Sequence, residues 1–182
     1  MTSSPSSPPP TIPPTIRHLY FHIPFCPKLC PYCCFYVEVG SKNKTTAFLD
    51  ALLAQVDQAK EQFSLLPETI YFGGGTPTAL TTSQLDYLLS GLRSRLDLSQ
   101  LAEWTFEANP ATVPPEKARL LHQAGVSRIS LGVQSWHDPL LKILGRSHSA
   151  AQSQKTFATL REAGFSNINL DLIFAIPTQT LP

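Results

Sequence analysis

The sequence predicts an α/β fold in which parallel strands alternate with helices and form a partial barrel. Three observations predict it. Short β-rich runs alternate with segments that have the apolar spacing of an amphipathic helix. A ten-residue pattern occurs twice, each time where a helix is followed by a strand. Residues able to bind a ligand follow successive strands, as they do at the C-terminal face of a βα barrel.

The strands and helices can be placed in order along the chain. Strands are predicted at residues 19–25, 69–72, 104–108, 128–133 and 167–175. Helices are predicted at residues 45–63 and 81–96, from Pro115 to about Gly125, and at residues 138–144 and 149–163. Thr81 and Gln84 have the spacing of a capping box at a helix start. Pro115 suits a first helical turn, and Gly125 suits a C-terminal cap.

An internal repeat supports this division. Residues 122–131 read HQAGVSRISL and residues 161–170 read REAGFSNINL, so that Ala, Gly, Ser, Ile and Leu recur at the same offsets. Each copy is interpreted as a helix end, a glycine cap and the start of a strand. Regular alternation of this kind predicts a parallel sheet with right-handed crossovers.

The strand ends carry the unusual residues of the sequence. Cys26 follows the first strand, and a Gly-Gly-Gly-Thr segment at residues 73–76 follows the second. Glu107 ends the third strand, Gln134 follows the fourth and Asp171 lies on the fifth. An open doubly wound sheet would concentrate its site at one switch point. Contributions from five successive strands therefore favour closure into a barrel.

Composition and charge narrow the classes of function. The 182 residues carry a formal net charge of +1 without a Lys/Arg cluster, which argues against a nucleic-acid partner. No apolar run approaches the roughly 18–20 residues of a membrane span, so membrane insertion is not expected. Residues 1–16 are predicted to be a disordered Ser/Pro-rich tail before one domain at residues 17–182. The tail lacks the features of a secretory signal, so a cytoplasmic location with reduced thiols is expected.

All four cysteines fall within residues 26–34. The spacing Cys26-x3-Cys30-x2-Cys33 places three thiols on one short loop after a strand. Cysteine thiolates hold iron–sulfur clusters, commonly as sets of four, and three would leave one iron open to a ligand. Zinc stays open as an alternative, although a structural zinc site takes four ligands, usually as two separated pairs. Cys34 is a poor fourth ligand because it directly follows Cys33.

Other candidate residues are harder to interpret one at a time. The three glycines at residues 73–75 would let the backbone approach a ligand, but a plain tight turn explains them equally well. Glu107 is expected to contact a ligand. Gln134 and Asp171 are polar residues in apolar strands, where an unsatisfied side chain is costly, so each needs a partner. Arg146 is a candidate partner for Asp171 or a clamp on a ligand, with surface solvation as the alternative.

Taken together, six segments resemble one known family. In chain order they are YFHIPFCPKLCPYC, FGGGTPT, FEANPATV, GVSRISLGVQSW, LGRSHS and NINLDLIF. The first is similar to the cluster loop of radical S-adenosylmethionine (SAM) proteins. The full set resembles the oxygen-independent coproporphyrinogen III oxidase family, which includes a heme chaperone branch. The match extends from about residue 19 to the C-terminus.

This resemblance implies a radical SAM barrel and its cofactors. Cys26, Cys30 and Cys33 would hold a [4Fe–4S] cluster whose fourth iron binds SAM, and reduction would cleave SAM to a 5′-deoxyadenosyl radical. The positions implied to contact SAM are Tyr20, Tyr32, Gly74, Gly75, Thr76, Glu107, Gln134, Arg146 and Asp171. The family barrel has six βα units. The resemblance therefore also implies an incomplete barrel, with about five of its six strands present and the C-terminal part missing.

Two departures from the family pattern bear on function. Phe35 occupies the position at which the family oxidase has a fourth cysteine, whereas the chaperone branch typically reads Cys-Asp-Phe there. Cys34 stands in place of the acidic residue. Ala175, in the segment FAIPTQT, stands where the family usually has glycine and is expected to crowd the backbone.

The resemblance thus implies a heme chaperone that binds and delivers heme. The alternative is the oxidase, which decarboxylates propionate groups of coproporphyrinogen III to vinyl groups, and a zinc-binding module is a third alternative. The expected partners are heme or a porphyrinogen, an electron donor and a heme-acceptor protein. Whether the chain is an enzyme is left open, because the chaperone branch and the missing C-terminal part both weaken a catalytic role.

Overall fold

The computed structural model describes residues 13–180. Its strands are β1 (Thr15–Ile23), β2 (Phe25–Cys26), β3 (Glu38–Val39), β4 (Ser64–Gly74), β5 (Glu103–Ala108), β6 (Arg128–Gln134) and β7 (Asn167–Leu172). Its α-helices are α1 (Lys42–Gln62), α2 (Thr82–Arg93), α3 (Pro115–Ala124), α4 (Asp138–Ile143) and α5 (Ala150–Glu162). Short 3₁₀ turns, Pro77–Ala79 and Pro110–Thr112, follow β4 and β5. No helix within residues 13–180 combines the length and apolar character needed to cross a membrane.

The main sheet has five strands, all parallel, in the order β1-β4-β5-β6-β7. Helices lie in each crossover between these strands. A doubly wound sheet would reverse its order at a switch point. Here every new strand joins the same growing edge, which is the arrangement of a βα barrel. The predicted α/β fold and partial barrel are confirmed.

The two faces of the sheet have different roles. Trp104 and Phe106 of β5 are fully buried in the core, where the Phe72 ring stacks on Phe106 with ring centroids 4.4 Å apart. Side chains alternate along a strand, so Glu107 points to the opposite face. The helices cover the apolar face with leucine-rich stripes, as their sequence spacing predicted. The other face is left to carry polar residues.

Helix ends follow the local signals in the sequence. The capping box at α2 is complete, because the Gln84 N–H donates to Thr81 Oγ1 at 3.2 Å and the Thr81 N–H donates to Gln84 Oε1 at 3.0 Å. Pro115 begins α3, and Gly125 caps it in the left-handed region at φ +103°. Gly164 has φ +106° in the second copy of the repeat. Both copies therefore have the predicted sequence of helix end, glycine and strand.

The beginning of the sheet differs from its prediction. β1 begins at Thr15, inside the stretch assigned to the tail, because Thr15 pairs with Ser64 at the start of a β4 that extends well before residue 69. β1 ends at Ile23 rather than residue 25, since Pro24 has no N–H to continue the ladder. The short pairing of β2 with β3 was not predicted. The prediction for residues 1–12 lies outside the described residues.

The last strand is shorter than predicted. β7 ends at Leu172 and not at residue 175. Ala175 has φ +59°, in the left-handed region that extended strands exclude and that favours glycine. The sequence led to an expectation of crowding at Ala175, whereas the feature that the structure shows there is a positive φ.

Replacing Ala175 by glycine is expected to raise the free energy of unfolding by about 0.5–1 kcal/mol, because glycine adopts positive φ without a Cβ penalty. Denaturant unfolding monitored by circular dichroism measures the change. Ala158→Gly, at an exposed position inside α5, is the matched control and should lower stability by about 1 kcal/mol. If both substitutions changed the free energy of unfolding in the same direction, the explanation from the positive φ of Ala175 would be contradicted.

Candidate cofactor site

A cavity of about 180 Å³ lies at the C-terminal ends of the strands, next to the cysteine loop. All the predicted site residues except Tyr20 line it: Cys26, Cys30, Tyr32, Cys33, Gly74, Gly75, Thr76, Glu107, Gln134, Arg146 and Asp171. Residues that the sequence did not single out complete the wall, among them Lys28, Ser130 and Gly132. The topology thus brings one loop and four strand ends to a single place, as the barrel interpretation requires.

The cysteine loop turns its first three thiols towards this cavity. Cys26 ends β2, and the Cys33 N–H donates to the Cys30 carbonyl at 3.1 Å, which closes a tight turn. Cys34 is exposed and does not line the cavity. Burial raises the pKa of the Cys26 thiol, and the neighbouring Cys33 and Cys30 raise it further, against a lowering by the Thr76 hydroxyl 3.4 Å away. A bound cationic centre would reverse this and favour the thiolates.

The donor set fits an iron–sulfur cluster. Three thiols from one loop line one cavity, whose remaining wall is formed by the glycine loop and by polar side chains, so one side is left for a further ligand. Within residues 13–180, no three His, Cys, Asp or Glu side chains are grouped tightly enough to hold a single metal ion. Which residues ligate stays a prediction.

The glycine loop after β4 packs directly on the chain that precedes Cys26. The Gly75 N–H donates to the Ile23 carbonyl at 2.8 Å, and the Thr76 N–H donates to the Phe25 carbonyl at 2.9 Å. A Cβ at Gly75 would lie 2.8 Å from the Phe25 carbonyl oxygen, too close for any side chain. The glycines therefore fix the cysteine loop against β4 as well as opening the backbone to a ligand.

The Arg146 guanidinium contacts the cysteine loop and does not pair with Asp171. Its Nη1 donates to Tyr32 Oη at 3.3 Å and lies 3.8 Å from Cys30 Sγ. Asp171 instead accepts from Ser130 Oγ at 3.2 Å and from Asn169 Nδ2 at 2.6 Å. The suggestion that Arg146 pairs with Asp171 is therefore wrong. Arg146 Nε is buried without a partner among the described residues, which leaves a donor for a ligand.

The end of β6 has an unusual backbone. Gln134 has φ +67°, a left-handed conformation that non-glycine residues adopt mainly where surrounding contacts impose it. Three successive carbonyls make these contacts. The Gly132 carbonyl accepts from Arg146 Nη2 at 2.9 Å, the Val133 carbonyl from His148 Nε2 at 3.1 Å, and the Gln134 carbonyl from the Ile173 N–H at 2.9 Å. The strained position lies on the cavity wall, where functional sites commonly store strain.

Glu107 is one of two half-buried carboxylates in the cavity, with Asp171. The Tyr71 hydroxyl donates to Glu107 Oε1 at 2.8 Å. Burial raises the pKa of Glu107, while Tyr71 opposes this and Asp171 adds to it. Sequence reasoning missed Tyr71. Strand alternation could have found it, because Tyr71 and Gly73 lie on the same face of β4.

Tyr20 lies apart from the cavity lining. Its side chain is exposed, its ring stacks on Tyr71 with centroids 6.1 Å apart, and its hydroxyl donates to His22 Nδ1 at 3.0 Å. Among the described residues no hydrogen bond joins Tyr20 to Glu107, and Tyr71 contacts both. Its direct contact with a cofactor stays a prediction.

Comparison with known proteins identifies this arrangement. The family model described as the radical SAM superfamily matches residues 20–181. The chain belongs to the radical SAM superfamily. Radical SAM proteins in general use a [4Fe–4S] cluster and SAM, so the predicted cofactor classes agree with the family. The three thiols on one loop suit that cluster.

Several relatives of this radical SAM chain carry specific names. It is 43% identical over 148 residues to "Heme chaperone HemW" of Lactococcus lactis, covering 81% of this chain and 39% of the relative. It is 36% identical over 149 residues to "Oxygen-independent coproporphyrinogen-III oxidase-like protein HemZ" of Bacillus subtilis, covering 79% of this chain and 30% of the relative. Among solved structures, coproporphyrinogen III oxidase (HemN) from Escherichia coli superposes with a TM-score of 0.83 at 30% identity, covering 92% of this chain and 39% of the oxidase. The chain thus spans roughly a third of the length of these relatives.

Proposed function

We propose that this chain is the cofactor-binding part of a heme chaperone of the radical SAM type. The observation that carries the proposal is Phe35, which occupies the position of the fourth cysteine of the family oxidase. Phe35 borders the cavity with an exposed aromatic ring, so no thiol is available at that position. The identity to proteins named heme chaperone, 39–45% for HemW of four bacteria, supports the same assignment.

In this proposal the cysteine loop holds the cluster and the strand ends hold SAM. The cluster and SAM, when bound, supply one-electron chemistry that the side chains of the protein do not supply themselves. Cys26, Cys30 and Cys33 are the proposed ligands, and Arg146 orients their loop through Cys30 and Tyr32. The remaining predicted contacts, with Glu107 foremost, bind SAM by its charged and polar groups. Heme, an electron donor and a heme-acceptor protein are the proposed partners, in the cytoplasm.

The oxidase is the second candidate. The superposition on coproporphyrinogen III oxidase supports it, because the two chains share the barrel over nearly the whole of this segment. Under this alternative the same residues would bind the same cofactors, and the substrate would be a porphyrinogen whose propionate groups are decarboxylated. Phe35 is the difference in this chain that argues against it.

An anaerobic assay of the gene product that contains this chain separates the two. After cluster reconstitution it is incubated with coproporphyrinogen III, SAM and a reductant, beside the Escherichia coli oxidase as positive control. We expect no protoporphyrinogen above a cluster-free sample, together with stable heme binding and transfer of heme to an apo-hemoprotein. Robust formation of protoporphyrinogen would overturn the chaperone assignment in favour of the oxidase.

A further inference from the structure

We infer that Tyr71 is a positioning residue for SAM, which holds the Glu107 carboxylate in its binding orientation. The inference deepens the proposed function and rests on the SAM binding that this function requires. Tyr71 donates to Glu107 Oε1 at 2.8 Å, which is the usual length of an O–H···O hydrogen bond. The predicted SAM contacts did not include Tyr71, and it does not itself line the cavity.

The contact follows from the register of two neighbouring strands. Tyr71 of β4 pairs with Thr105 of β5, so Glu107 is the next residue of β5 on the same face. The two side chains meet over Gly73, where a Cβ would lie 3.0 Å from Tyr71 Cε1 and 3.1 Å from Glu107 Cδ. A larger residue at position 73 would separate them. The sheet geometry and Gly73 thus build the pair together.

The direction of this hydrogen bond is set by the chemistry of the pair. Burial and the nearby carboxylate raise the pKa of Tyr71 above its ordinary value, so its hydroxyl keeps the proton and donates it. The Tyr71 donation opposes the rise in the pKa of Glu107 that burial causes, and it restricts the rotation of the carboxylate. In its ionised form this carboxylate, which faces the cavity, suits the cationic groups of SAM.

Tyr71 also connects Glu107 to the cysteine loop. The Tyr20 ring stacks on Tyr71, the Tyr20 hydroxyl donates to His22 Nδ1, and His22 Nε2 donates to the Tyr36 carbonyl at 2.9 Å. Tyr20, which is predicted to contact SAM, thus also packs against the residue that holds Glu107. Tyr71 contacts the exposed Tyr20 ring by stacking and the Glu107 carboxylate by its hydroxyl.

Tyr71→Phe tests the inference because it removes only the hydroxyl. In the anaerobically reconstituted protein we expect its dissociation constant for SAM to rise on the order of tenfold, the usual effect of losing a hydrogen bond to a charged group. Iron content should stay at the wild-type value. Tyr87→Phe is the matched control, since its hydroxyl donates to Asp50 Oδ1 at 2.7 Å between α2 and α1, away from the cavity. It should bind SAM as tightly as the wild type.

A double-mutant cycle separates positioning from a general structural effect. If Tyr71 acts through Glu107, Tyr71→Phe should weaken SAM binding no further once Glu107→Gln is present. The inference would be overturned if the losses of SAM affinity caused by Tyr71→Phe and Glu107→Gln were additive in the double variant. It would also be overturned if Tyr71→Phe alone left SAM binding unchanged. A wild-type protein that keeps its cluster but binds no SAM would instead overturn the proposed function itself, so the two failures are distinguishable.

Discussion

Cys33→Ala is expected to abolish cluster binding, lowering iron from about four atoms per chain to near zero. Cys33 lines the cavity with Cys26 and Cys30, and its N–H closes the turn onto the Cys30 carbonyl at 3.1 Å. A site with three protein ligands loses a third of its covalent attachment with one substitution. Iron and acid-labile sulfide analysis after anaerobic reconstitution measures the loss, and far-UV circular dichroism checks that the variant is folded.

The neighbouring thiol supplies the control. Cys34 is exposed and does not line the cavity, so Cys34→Asp should keep the full iron content. The substitution also restores the acidic residue that the family's chaperone branch typically has at this position. An equal fall of iron in both variants would mean that the third ligand is misassigned.

Gly74→Ala is expected to destabilise the fold by about 3 kcal/mol and to weaken the site. Gly74 has φ +105°, which costs alanine about 1 kcal/mol, and its Cβ would lie 2.5 Å from the Cε1 atom of the His22 ring. Overpacking of this kind adds about 1–3 kcal/mol. The ring cannot turn away freely, because both its nitrogens are hydrogen-bonded, one to Tyr20 and one to Tyr36.

A second glycine, Gly125, separates the cost of the positive φ from the cost of the His22 contact. Gly125 has nearly the same backbone angle, φ +103°, but nothing lies within 4 Å of a Cβ built there. Gly125→Ala should therefore cost only about 1 kcal/mol, the backbone contribution alone. Denaturant unfolding of both variants gives the difference, and His22→Ala in the Gly74→Ala background should recover most of it. Equal losses at the two glycines would show that the His22 contact contributes nothing.

Features set by neighbouring residues could be predicted from the sequence. The capping box of Thr81 and Gln84, the start of α3 at Pro115 and the cap at Gly125 all appear as expected. Each depends on contacts within one helical turn, so a few residues contain the required information. The strand order also follows, since regular βα alternation leaves few topologies for a parallel sheet.

Features set by distant residues could not be predicted in this way. β1 begins at Thr15 because Ser64 pairs with it, and the short β2 exists because β3 returns to it after the cysteine loop. Arg146 bonds to Tyr32 and Cys30 rather than to Asp171, a choice among polar groups that lie far apart in the chain. Motif spacing contains no information about which of these groups meet.

The sequence by itself determined the βα order, the glycine positions, the three-cysteine loop and the family to which they belong. Only the tertiary structure decided that the Tyr71 hydroxyl reaches Glu107 and that Gln134 has a left-handed backbone. It also decided that Tyr20 stacks on Tyr71 instead of lining the cavity. The reason is physical. Periodicity and capping arise from short-range sterics and hydrogen bonds, whereas strand register and side-chain partners are fixed only when segments distant in sequence pack together.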